Sequence, residues 1–259
     1  NSTIDTSPGF RRFGRFTIRD HRNYGVLDLT EIIVKSSNVG VSNIATDLGG
    51  DTLRNLYARL GLGQATGIGF PGEAVGVLPA PPKWRPVEES TLSYGYGMSV
   101  NALQLAQAYM VIANGGIRYP LSLMRQEQRP QGQRVLSEQV TRAVRDMLKQ
   151  AVARGTGKRA RPGLYAAGGK TGTVHLVGAN GYEDSQYKAI FAGMAPIDDP
   201  RIVTVVAVDA PQAGEYYGGE VAAPVFARVM GDALRLLNVK PELEVSETRV
   251  SQVTSGGRG

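Results

Sequence analysis

Two short strings in this chain of 259 residues combine side chains that could do chemistry on a carbonyl group. The first is Lys170-Thr171-Gly172-Thr173, preceded by Gly168-Gly169. A Lys here supplies positive charge beside an anionic group or a neighbouring hydroxyl, and the two Thr hydroxyls can donate to a carboxylate. Gly172 lets a ligand or a helix come close to the backbone. The second string is Ser36-Ser37-Asn38. A Ser hydroxyl that relays a proton, beside an Asn amide that holds a peptide carbonyl, would serve acyl transfer. Read alone, each string has an ordinary explanation: a strand that begins on glycines, and polar residues that face solvent or bond back to their own helix. Their occurrence together, in this order and in matching contexts, is what points to a site.

Different kinds of element must position the two strings. Thr30 is a capping residue type, and Ile33, Val34, Ser37 and Val41 recur at helical spacing toward Leu48, with Gly49-Gly50 as the stop. That places Ser36 and Asn38 in mid-helix. A second helix is expected from Asp51 to Leu60, followed over residues 61–90 by a long Gly- and Pro-rich loop region holding Trp84. Ser99 is placed to cap a helix with Ala102, Leu105, Ala106, Tyr109 and Met110 on one face, ending at Gly115-Gly116. Ser137 is placed to begin another through Val140, Val144, Met147 and Leu148, stopped by Gly155.

The period then changes. Gly169 to Val177, Lys188 to Met194 and Ile202 to Asp209 read as three strands, and Val221 to Leu237 as a closing helix. Residues 1–30 read as short extended pieces and turns. The expected architecture is mixed α+β, an antiparallel sheet packed with helices over residues 1–238, followed by a polar tail over 239–259 that reads as disordered.

Composition narrows the chemistry. Hydrophobic residues make up 42% and charged residues 20%, an ordinary globular balance. The formal charge is +6, but the positive residues are scattered apart from Arg11, Arg12 and Arg15 and the run from Arg154 to Arg161. Nucleic acid is therefore set aside as a partner, and a carboxylate-bearing or polyanionic substrate suits the charge better. Cys is absent, which excludes thiolate catalysis and Cys-ligated metal, and two His, His21 and His175, are too few for a histidine metal cluster. No metal or organic cofactor is expected, and no stretch approaches eighteen apolar residues.

Nearly the whole chain resembles the transpeptidase domain of the class B penicillin-binding proteins, of the division-specific D,D-transpeptidase (penicillin-binding protein 3) type found in Gram-negative, pseudomonad-like bacteria. The resemblance rests on Thr17-Ile18-Arg19-Asp20, Lys35 to Gly40, Gly61-Leu62-Gly63, Gly69-Phe70-Pro71-Gly72-Glu73, Tyr94-Gly95-Tyr96-Gly97, Leu103 to Tyr109 and Lys170 to Thr173. It implies a penicillin-binding/serine β-lactamase-like fold whose N-terminal part is missing here, and a serine acyl-enzyme mechanism acting on the stem peptides of peptidoglycan. β-Lactam antibiotics would trap that acyl-enzyme. By the same resemblance Ser36 shuttles a proton, Asn38 and Ser37 belong to the Ser-x-Asn element, and Asn38 binds the substrate amide. Thr171 and Thr173 recognise the terminal carboxylate beside Gly172 and Lys170, and the Thr173 backbone N–H forms one arm of an oxyanion hole. Tyr94, Tyr96, Tyr187, Tyr216 and Tyr217 resemble aromatic cleft-wall positions. The full-length protein would be anchored in the inner membrane with this domain in the periplasm at the division septum, beside divisome membrane proteins and a glycan polymerase.

The chain departs from the pattern in two places. The nucleophile motif Ser-x-x-Lys is expected upstream of Asn1, and the one match to the string, Ser185-Gln186-Tyr187-Lys188, is rejected because it lies where a strand is expected. A nucleophilic Ser needs its Lys one helical turn away. His175 stands where relatives often have Arg, which would weaken attraction to a carboxylate. Two rival readings follow. One is a β-lactamase or β-lactam sensor of the same fold, for which Glu73 and Glu88 lack the accompanying Glu-x-x-Leu-Asn element. The other is a non-catalytic binding module for cell-wall or division partners.

Overall fold

The computed structural model describes residues 2–178, 181–212 and 214–242. The chain opens with four short strands, β1 (Thr3–Asp5), β2 (Phe10–Phe13), β3 (Phe16–Arg19) and β4 (Val26–Asp28). β1 pairs antiparallel with β4, and β2 with β3 in a hairpin. Arg12 and Arg19 lie over the Phe10 ring on this hairpin, while Arg11 turns inward to bond Asn43 and Thr46 side chains at 3.0 Å each.

The long helix expected from Thr30 to Leu48 is two helices, α1 (Leu29–Lys35) and α2 (Asn38–Leu48). Asp28 rather than Thr30 caps the first, accepting from the Glu31 N–H at 2.7 Å. The break falls on Ser36 and Ser37. Ser36 adopts the left-handed conformation, φ 55° and ψ 48°, with its N–H on the Ile33 carbonyl and the Ser37 N–H on that of Ile32. This is a Schellman end with Ser where Gly is usual. Ser37 then caps α2, accepting from the Gly40 N–H at 2.9 Å.

Helix α3 (Gly50–Leu60) matches the expected second helix, and the Gly/Pro-rich region holds one short helix of its own, α4 (Pro86–Leu92). Leu92, Ala45 and Leu53 form a buried cluster with Tyr57, Trp84 and Met98 against it. Helix α5 (Ala102–Ala113) is capped by Asn101, not by Ser99. Asn101 and Gln104 exchange side-chain bonds to each other's backbone N–H at 2.8 and 3.0 Å, while Ser99 pairs with Val77 in an isolated bridge. The small pair β5 (Ile117–Arg118) and β6 (Gln133–Arg134) leads to α6 (Glu138–Arg154), capped by Ser137 as expected. A single 3₁₀ turn follows at Lys158–Ala160.

The main sheet is β7 (Gly168–Gly178), β8 (Gly181–Ala195) and β9 (Ile202–Asp209), antiparallel in that order, so β7 is an edge strand. Alternation along the strands explains its two covered faces. Phe191, Ala195, Ile202 and Val206 pack against Phe226, Met230 and Leu234 of α7 (Gly218–Leu236). Met194 and Val203, on the opposite face, meet Leu148 and Val144 of α6 and Tyr109 and Ile112 of α5. Helix α6 packs on β7 and α1 packs on α6, and this stack carries the α1–α2 break to the sheet edge. An ion pair of Glu31 with Arg154 ties α1 to α6. Within the segment expected as a tail, Val239 O accepts from the Tyr165 hydroxyl at 2.9 Å and Glu242 from the Ala166 N–H at 2.9 Å; residues 243–259 lie outside the described residues.

Candidate active site

The Lys170–Thr173 string borders more than one space. Lys170, Gly172 and Val174 line an apolar groove of about 520 Å³ with Leu62, Leu105, Tyr109 and Ile190. Thr171, Thr173 and His175 line an outer cavity of about 500 Å³ with Ser36, Asn38 and Tyr96, and Thr171 and His175 border the groove as well. At the sheet edge between them, a cavity of about 340 Å³ is bounded by Ser36, Asn38, Tyr94, Tyr96, Lys170, Thr171 and Thr173.

The two strings meet here. Lys170 Nζ donates to Ser36 Oγ at 2.8 Å, across 134 residues of sequence, and to the Thr171 carbonyl at 3.0 Å. Burial pushes the Lys170 ammonium down to about 8, because a charged amine loses its hydration there. An amine poised near that value can carry or release a proton at neutral pH, and a hydroxyl 2.8 Å away is its natural partner. Thr173 Oγ1 accepts from the Gly218 N–H at 3.0 Å, where α7 begins. Gly218 must be Gly: a Cβ there would stand 2.4 Å from the Ile190 carbonyl and 2.5 Å from that of Gly172.

The Arg19-Asp20 end of the Thr17–Asp20 string, to which the sequence assigns no role, holds the Ser-x-Asn string. Asp20, just beyond β3, accepts from the Ser37 hydroxyl at 2.6 Å and from the Val39 N–H at 3.0 Å. The Asn38 amide donates to the Arg19 carbonyl at 3.3 Å. Ser37, expected among the ligand-binding residues, borders the inner cavity, is 2% exposed and has its hydroxyl engaged by the Gly40 N–H and by Asp20.

The expected tyrosines come together in two groups. Tyr94 and Tyr96 are a T-shaped pair with centroids 5.6 Å apart at the inner cavity. Tyr187 stacks on Tyr216 at 4.2 Å and meets His175 at 4.5 Å, and Tyr216 touches Tyr217 at 4.4 Å. His21 extends this strip beyond Tyr217, and Thr156 joins the same cavity. Neither was legible as a site residue: a lone His and a lone Thr carry no local signal. Strand β8 runs through the Ser185–Lys188 string, and Lys188 is paired with Asp209 at 3.0 Å. Glu73 accepts from the Thr66 N–H and the Asn101 amide, and Glu88 pairs with Arg85; neither lines the cavities around Ser36.

Residues 1–231 match the model of the penicillin-binding protein transpeptidase domain. The chain belongs to that family. It is 40% identical over its full length to the peptidoglycan D,D-transpeptidase FtsI of Escherichia coli, of which it covers 44%. It is 38% identical over 93% of its length to a probable peptidoglycan D,D-transpeptidase, PbpC, of Pseudomonas aeruginosa, covering 43% of that protein. The transpeptidase domain of Burkholderia pseudomallei penicillin-binding protein 3, solved without ligand, superposes with a TM-score of 0.88 at 41% identity, covering 94% of this chain and 75% of that one. The chain thus spans less than half the length of the curated relatives it matches. The Ser36–Lys170 contact lies where the Ser36–Asn38 and Lys170–Thr173 strings meet.

Proposed function

We propose that this chain forms the larger part of the acyl-transfer site of a peptidoglycan D,D-transpeptidase that cross-links stem peptides in septal wall synthesis. The observation that carries the reading is the 2.8 Å contact of Lys170 with Ser36 in a cavity shared with Asn38, Thr171 and Thr173. In this reading a nucleophilic Ser of a Ser-x-x-Lys element upstream of Asn1 attacks the penultimate D-alanyl carbonyl. A C–O bond forms and the amide C–N bond breaks. The departing D-alanine takes its proton through Ser36, whose own proton position is governed by Lys170. An amine on a neighbouring stem then displaces the ester and returns the proton to the nucleophile. The Asn38 amide holds the peptide, the Thr171 and Thr173 hydroxyls hold the terminal carboxylate, and the Thr173 N–H on the edge strand assists the oxyanion. The apolar groove beside Lys170 and Gly172 offers a bed for the helix that brings the nucleophile.

Among the described residues no helix is long and apolar enough to cross a membrane. Anchoring in the inner membrane, a periplasmic site and contact with divisome proteins and a glycan polymerase are parts of the same proposal. Intact mass of the full-length protein after incubation with a penicillin, followed by peptide mapping, tests it. A stable adduct on a Ser upstream of Asn1 supports the reading. An adduct on Ser185 reinstates the rejected motif, and no adduct favours a non-catalytic binding module.

His175 shares the outer cavity with Thr171 and Thr173, two strand positions beyond the latter. Arg is charged at every working pH and forks onto carboxylates with a planar, bidentate guanidinium that an imidazole cannot reproduce. His175→Arg is expected to speed acylation by carboxylate-bearing β-lactams several-fold, about the worth of one exposed charge pair. Equal rates in stopped-flow acylation would remove His175 from ligand recognition.

A further inference from the structure

Thr156 lies in the turn between α6 and the 3₁₀ segment, inside the basic run from Arg154 to Arg161. Its carbonyl is pressed against Gly219, where a Cβ would stand 2.5 Å away, so the first turn of α7 fixes the position of this turn. Its hydroxyl lies 2.8 Å from Thr171 Oγ1, and both residues line the outer cavity with Thr173.

A Thr hydroxyl has one proton and two lone pairs, so what it offers a ligand depends on what the protein gives it first. Thr173 Oγ1 already accepts from the Gly218 N–H at 3.0 Å, which leaves its proton for the cavity. Thr171 Oγ1 is reached by Lys170 Nζ at 3.4 Å and by Thr156 at 2.8 Å. If Thr156 donates, both Thr171 lone pairs are engaged and its proton must point elsewhere, toward the cavity. If Thr171 donated instead, it would have nothing to give a carboxylate.

We infer that Thr156 is a positioning residue for carboxylate recognition: it donates to Thr171 Oγ1 and so turns the Thr171 proton toward the carboxylate of the ligand. The inference rests on the transpeptidase reading. It makes Thr156 a determinant of specificity for a free terminal carboxylate over an ester or amide, through a hydroxyl that never touches the reacting carbonyl.

The test uses intact protein, benzylpenicillin and benzylpenicillin methyl ester, with the noncovalent dissociation constant and the acylation rate constant measured separately. Thr156→Val, which keeps the shape and loses the hydroxyl, is expected to weaken binding of the acid about fivefold, the worth of the one neutral hydrogen bond that orients the Thr171 proton. The acylation step itself and the response to the ester stay within about twofold on the same grounds. Thr156→Ser restores the acid. Equal losses on acid and ester, or no loss on either, overturn the inference while leaving the transpeptidase reading standing. A wild-type protein that no penicillin acylates overturns that reading and this inference with it.

Discussion

Intact protein carrying Lys170→Met is expected to be acylated by a penicillin about a thousandfold more slowly than the parent, within the range by which a positioned acid–base group accelerates proton transfer, yet to melt no lower. The two halves of this result have one cause. Lys170 is held down to about 8 by burial, against 10.5 when free. Between those values the unfolded chain holds the extra proton and the folded chain does not, so stability rises with pH across that window. Below it both states are charged, and the folded state carries the full cost of an enclosed ammonium. Met keeps the aliphatic stem and removes that cost, so at pH 7 the variant matches or exceeds the parent melting temperature. Toward pH 10 the parent gains and the gap closes. In the proposed relay, Ser36 then lacks the 2.8 Å partner that would govern its proton. Melting curves at the two pH values, with stopped-flow acylation at pH 7, check both halves. Acylation within about threefold of the parent, far short of a general acid–base contribution, would take Lys170 out of the relay.

Asp20→Ala is expected to destabilise the protein by about 2–3 kcal/mol, the scale for leaving a part-buried charged acceptor's partners unmade, and to slow acylation by one to two orders of magnitude in the molecules that remain folded. The carboxylate holds the start of α2, through the Ser37 hydroxyl at 2.6 Å and the Val39 N–H at 3.0 Å. Ser36, immediately before Ser37, sits at φ 55°, a conformation that costs an L-residue roughly 1–2 kcal/mol. Without Asp20 that cost is no longer offset, and a continuous helix over 29–48, the arrangement the periodicity by itself favours, becomes the competitor. In that helix Ser36 turns away from Lys170. Asp20→Asn keeps an acceptor for Val39 and falls between the two. Acylation per folded molecule, counted by active-site titration, separates the effects: a lowered melting temperature with unchanged acylation would make Asp20 structural only.

Much of this molecule is legible along the chain because much of it is local. The edge strand that bears Lys170 to Thr173 begins within one residue of its expected place, since glycines followed by alternating residues have few other uses. Ser137 caps α6 as its hydroxyl and the following apolar period require. The α5 cap is local too: Asn101 and Gln104 form a capping box, while Ser99, a capping type two residues earlier, pairs with Val77 instead. The residue types at the site, a Lys, hydroxyls and an amide, are likewise stated by the sequence, and with them the kind of chemistry.

Tertiary structure decided how those residues are used. The Thr30–Leu48 period is helical throughout, and the break at Ser36 is held by the Ser37 cap together with a carboxylate contributed by the chain before α1. The contact of Ser36 with Lys170 depends on α1 packing on α6 and α6 on β7, none of which leaves a trace within either string. Thr156 and His21 reach the cavity for the same reason, through the packing of whole elements rather than any local pattern. Local chemistry determines which elements form and which atoms can react; the distances that let those atoms react are set by burial of apolar faces far away in sequence.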